Sequence, residues 1–116
     1  MSRIFSLIFT LFFCFSSFVF AQEGDLFAVA DVPVNVEDET PTKARNLAIN
    51  TAHRDAFLIL LARLELDAEI AEQVSDEEIF NMVISRHIGE EKLSGNNYSA
   101  NFNITFGEDF VEQALS

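Results

Sequence analysis

The stretch Lys43–Leu64, "KARNLAINTAHRDAFLILLARL", decides how this chain folds. It reads as one helix, and at about 100° per residue its apolar positions fall on two opposite sides. One side groups Ala44, Leu47, Ala48, Thr51, Ala52, Leu58, Ile59 and Ala62, interrupted by Asp55. The other groups Phe57, Leu60, Leu61 and Leu64 at i, i+3, i+4, i+7. The small-residue side is flat enough to lie close against a sheet. The bulky side needs another neighbour: either a second helix covers it, or it stays exposed and binds another protein. Phe57, Leu60, Leu61 and Leu64 are therefore the candidate interface.

The segments around this helix supply a sheet. In "FAVADVPVNVE", Val32, Val34 and Val36 alternate with Pro33, Asn35 and Glu37, the period of a strand with one buried face. Phe27 and Val29 have the opposite parity, which predicts a bulge near Ala30 and Asp31. Pro33 lacks a ladder donor and points to an edge strand. Thr40 and Pro41 form a helix start. Downstream, Ser75 and Glu78 have capping-box spacing ahead of Ile79, Phe80, Val83 and Ile84. A short helix there would lay Ile79 and Val83 over the Phe57–Leu64 side.

A hairpin follows. Tyr98, Ala100, Phe102, Ile104 and Phe106 alternate with polar residues, "SGNN" supplies the turn, and a weaker, more charged strand spans about residues 86–93. "EDFVEQALS" closes as a short helix, with Phe110, Val111 and Leu115 expected to pack back. The fold class is α+β: a small antiparallel or mixed sheet of about three strands, with one long and one or two short helices on one face.

The first residues carry a location signal. Arg3 precedes the uncharged run "IFSLIFTLFFCFSSFVFA", and Val19 and Ala21 fit a small-x-small cleavage site. Residues 1–21 read as a signal peptide cut after Ala21, and residues 22–116 as a single exported domain, periplasmic or secreted. The alternative is an uncleaved inner-membrane anchor over residues 4–21. Cleavage removes seven of the thirteen Phe and the only cysteine, Cys14. It leaves six Lys and Arg against nineteen Asp and Glu, a net charge of −13. Such a surface repels phosphate backbones and anionic head groups, which disfavours nucleic acid and any membrane contact beyond that anchor.

No catalytic, cofactor-binding or metal-binding constellation is legible. His53 has no ligand at the zinc-protease spacing, and His87 stands alone. Asp76–Glu77–Glu78 sits at a helix start, where negative charge is stabilising, and Glu90–Glu91 lacks calcium-loop spacing. The four glycines are scattered, so no phosphate loop forms. Asn97-Tyr98-Ser99 and Asn103-Ile104-Thr105 are formal glycosylation sequons that the polar row of a strand already explains. Arg45, Arg54 and Arg63 recur every nine residues, which places Arg54 opposite the other two rather than in one basic stripe.

The chain resembles the N-terminal part of a bacterial secreted family, domain of unknown function 2066. The resemblance rests on Val32-Pro33-Val34, on the helix positions Ala44, Arg45, Ala48, Ala52, Arg54, Ala56, Phe57, Leu60, Leu61, Arg63 and Leu64, and on Ser94, Gly95, Tyr98 and Ala100. It implies export and a helix-on-sheet domain, and it carries no catalytic residues. Members of that family are generally longer, so the resemblance implies a truncated relative, or one in which the remainder is dispensable. The expected role is that of a non-enzymatic cell-envelope protein acting through contacts with another envelope protein or with itself. The alternative is a small-ligand module with an apolar pocket between helix and hairpin, lined by Phe57, Phe102 and Phe106.

Overall fold

The computed structural model describes residues 26–116, so the expected signal peptide or anchor lies outside the described residues. Three strands form one antiparallel sheet in the order β1-β3-β2, where β1 is Ala28–Glu37, β2 is Val83–Ser94 and β3 is Asn97–Phe106. The helices are α1 (Pro41–Arg63), α2 (Asp76–Met82) and α3 (Glu108–Leu115), with a 3-10 turn at Ala68–Gln73. The architecture is α+β. Among the described residues no helix is long and apolar enough to cross a membrane.

The strict alternation of β3 has its expected consequence. Tyr98, Ala100, Phe102, Ile104 and Phe106 are buried beneath α1, while the intervening residues form the opposite face. β1 is an edge strand, as Pro33 requires. Its register slips between Val29 and Val32, and Asp31 adopts φ 57°. The bulge reverses parity, so Val29 and Val32 both point into the core. Asn103 fixes it, its side-chain oxygen accepting from the Asp31 amide at 2.8 Å.

The start of α1 is fixed by Thr40, whose hydroxyl accepts from the Lys43 amide at 3.1 Å, with Pro41 in the first turn. The buried side of α1 differs from the expectation. Ala44, Ala48, Ala52 and Ala56 are buried, but so are Phe57, Leu60 and Leu61. Leu47, Leu58, Ile59 and Ala62, expected against the sheet, are exposed instead. The buried residues form two adjacent i, i+4 ridges. One runs Ala44–Ala48–Ala52–Ala56–Leu60–Leu64 and the other His53–Phe57–Leu61. Such ridges are inclined to the helix axis, so the buried band winds around α1 instead of holding one angular sector.

The reciprocal Ser75–Glu78 capping box starts α2, at 3.1 Å in both directions. Ile79 and Met82 face inward from it. Val83 has already passed into β2, so it is Met82 that joins Ile79 in the core. Val83 and Ile84 are β-branched, which favours the extended backbone seen at Val83. Of the three apolar residues expected to pack from the last helix, Val111 is buried, Leu115 is half-buried and Phe110 is exposed.

The three arginines of α1 each reach a different element. Arg45 pairs with Glu91 on β2 at 3.1 Å. Arg63 donates to the carbonyls of Leu26 and Ala28 at 3.1 and 2.8 Å. Arg54 donates to the carbonyls of Ala71 and Val74 at 2.6 and 2.9 Å and to Asp76 at 2.7 Å. The last set pins the 3-10 turn and the start of α2 to α1. Arg54→Ala would leave two carbonyls without their charged donor. It is expected to lower stability by about 2 kcal/mol, measured by urea unfolding, whereas Arg45→Ala at an exposed pair should cost less than about 1 kcal/mol.

Candidate functional site

The structure places the candidate interface in the core. Phe57, Leu60 and Leu61 are fully buried and Leu64 is half-buried, packed against the same cluster. They are not available to a partner, because β3, α2 and the sheet-facing ridge of α1 enclose them. The pocket expected between helix and hairpin is occupied by its own lining. Phe57, Phe102 and Phe106 are all buried, and the Phe57 and Phe106 rings meet edge-on at 6.1 Å.

The apolar surface lies elsewhere. Phe80, Ile84 and Phe110 are 53%, 59% and 50% exposed, well above the exposure of the outer leucines of α1. Ile84 and Phe110 meet over Gly107: a Cβ built there would come within 2.9 Å of Ile84 and 2.7 Å of Phe110. Beside Phe110, a groove of about 200 Å³ runs between α2 and α3, lined by Glu78, Asn81, Met82, Phe110, Gln113 and Ala114. Glu78 lines it, the two helices also carry Asp76 (paired with Arg54), Glu77, Glu108, Asp109 and Glu112, and neither helix carries Lys or Arg.

Sequence reasoning missed this surface although the signal was present. Ile79 and Met82 take the inward i, i+3 positions of α2, which leaves Phe80 pointing out. Val111 and Leu115 do the same on α3 at i, i+4, leaving Phe110 outside.

Among the described residues, His53 is the one buried polar or charged residue of the core. Its Nε2 lies 3.3 Å from Arg86 Nη1, and its ring packs on Phe80 at 5.8 Å. A guanidinium only donates, so Nε2 accepts and the imidazole is neutral. Burial, reinforced by the Arg86 charge, lowers its pKa to about 4. Its Nδ1 has no partner. With no carboxylate or hydroxyl at either nitrogen, the ring lacks the partners of a catalytic base. His87 lies on the opposite face, across from Asn103.

A second polar cluster joins α1 to the hairpin. The Tyr98 hydroxyl donates to Glu91 Oε2, which also accepts from Arg45. The Tyr98 hydroxyl is raised to about 12 by burial and by Glu91, while its hydrogen bond and then Arg45 hold the Glu91 carboxyl below its usual range. The cluster is a strut across the bulge of β2. Among the described residues, no group of three or more His, Cys, Asp or Glu side chains is placed to hold a metal ion. Comparisons with protein-family models, with curated proteins and with solved structures each find no match.

Proposed function

We propose that the chain is an exported, non-enzymatic cell-envelope protein that holds a basic amphipathic segment of another protein at the end formed by α2, α3 and the start of β2. One observation carries this reading. Ile84 and Phe110 are half exposed and converge over Gly107 beside a groove whose flanking helices bear six carboxylates and no Lys or Arg of their own. Exposed apolar side chains favour an apolar partner face, and the five carboxylates other than Asp76, which Arg54 already pairs, select one with Lys or Arg around it. A second copy of this chain is a poorer occupant, because two strongly acidic molecules repel. The leader pattern of residues 1–21 and the resemblance to the secreted family support the envelope location.

The test is a titration with two synthetic amphipathic helical peptides that share one apolar face, one carrying lysines and the other glutamates. The lysine peptide is expected to bind, more weakly as salt rises. Ile84→Asp/Phe110→Asp should weaken it at least about tenfold, a loss of about 1.4 kcal/mol, with an unchanged melting temperature. Equal binding of both peptides, or full binding by the double variant, would overturn the reading. So would a dimer in sedimentation that the double variant dissolves.

A further inference from the structure

We propose that the open face of the sheet carries a binding site for a short neutral saccharide. An open cavity of about 600 Å³ lies there, lined by residues of all three strands, among them Pro33, Asn35, Glu90, Lys92, Ser99 and Asn101. That volume is in the range of small-ligand sites. It is independent of the groove between α2 and α3.

The bulge of β2 builds it. Gly89 lies across from Asn101 and Lys92 from Ser99, so Glu90 and Glu91 together face the single residue Ala100. Glu90 takes φ 52°, a left-handed conformation that a residue with a side chain adopts at a cost. The extra residue shifts the alternation, so Glu90 falls on the open face with Gly89 and Lys92, and Glu91 on the face beneath α1. Glu91 goes beneath α1 to Tyr98 and Arg45. Glu90 goes to the open face, where Asn101 Nδ2 donates to it at 2.6 Å. A strained residue whose carboxylate is oriented by an amide is a specific construction, beyond what a solvated sheet face requires.

The free groups select the ligand class. The Asn101 amide gives one N–H to Glu90, which leaves its second N–H as a donor and its oxygen as an acceptor. The Asn35 amide, the Ser99 hydroxyl and the Lys92 ammonium have no protein partner among the described residues. The cavity thus offers donors and acceptors side by side. An anion would meet Glu90, a cation would meet Lys92, and an apolar molecule would strip every one of these groups of water. Vicinal hydroxyls both donate and accept, so a neutral saccharide satisfies the set, with its C–H face on the Pro33 ring.

The experiment is a ¹⁵N-correlation titration with triacetylchitotriose, with maltotriose and, as a zwitterionic comparison, with glycylglycine. At least one saccharide is expected to shift the amides of Asn35, Glu90, Lys92, Ser99 and Asn101, with a Kd of about 1 mM. Asn35→Ala/Asn101→Ala should raise that Kd about tenfold without moving the melting temperature. The proposal is overturned if neither saccharide shifts these amides at about ten times that concentration. Shifts that fall between α2 and α3, that appear with glycylglycine alone, or that persist in the double variant overturn it equally.

Discussion

Truncating Phe57 to alanine is expected to lower the unfolding free energy by about 3–5 kcal/mol. The ring is wholly buried, meets Phe106 edge-on, and stands where the two buried ridges of α1 cross the sheet. Removing it takes away its transfer free energy and leaves a cavity that close-packed neighbours only partly fill. A domain of this size has about 5–15 kcal/mol in total, so the loss is a large share of its stability. In urea the midpoint should fall sharply while the slope stays constant, since variant and parent expose similar surface on unfolding. Leu58→Ala is the matched comparison on the same helix. Leu58 is 38% exposed and on no buried ridge, so its truncation should cost less than about 1 kcal/mol. Similar losses at the two positions, or a larger loss at Leu58, would return the Phe57 side to the surface and sink this packing.

That contrast shows where the sequence was readable and where it was not. β3 was legible residue by residue, because a period of two admits one assignment of inside and outside. The bulge at Asp31 was legible from the parity break between Val29 and Val32, and both helix starts from their capping residues. The two apolar sides of α1 were legible as well, but which residues of each enter the buried band was not. Angular sorting splits Ala44, Ala48 and Ala52 from Leu60 and Leu64, whereas the i, i+4 ridge joins them. Only the crossing of helix and sheet decides between the two groupings, and that is a tertiary fact. The change from α2 to β2 has no Gly or Pro to mark it. The helix pattern was therefore carried two residues too far, through Val83 and Ile84, and that error hid Ile84 as a surface residue. The role of Arg54 is not legible in sequence, because two of its partners, the carbonyls of Ala71 and Val74, are backbone atoms with no signature in residue type. The cavity beside Glu90 depends on a left-handed residue that is not glycine, a conformation that composition does not announce.

Acidification from pH 7 to pH 4 is expected to remove about 3 kcal/mol of stability through His53 alone. The ring is 2% exposed, and burial first, then the Arg86 guanidinium, lower its pKa from 6.5 to about 4. Phe80 of α2, which packs on the ring, offers no charge in compensation. Above pH 6.5 neither the folded nor the unfolded chain protonates this residue, and the neutral ring costs nothing further. Between about 6.5 and 4 the unfolded chain takes up a proton that the folded chain refuses, so stability falls as pH falls. Below about 4 both states are protonated, and the full loss remains. Glu91 acts in a lower window. Its carboxyl is held below the usual value, so its contribution is lost only as pH drops below the ordinary glutamate range. The two effects therefore separate along the pH axis. His53→Gln keeps a polar side chain but cannot titrate. The difference between its urea-derived stability curve and that of the parent should slope between pH 6.5 and 4 and be flat above. The ring resonance of His53, followed directly, should titrate near pH 4. A ring midpoint above 6, or a flat difference curve, would mean that water reaches the imidazole and that the junction of α1, α2 and β2 is open.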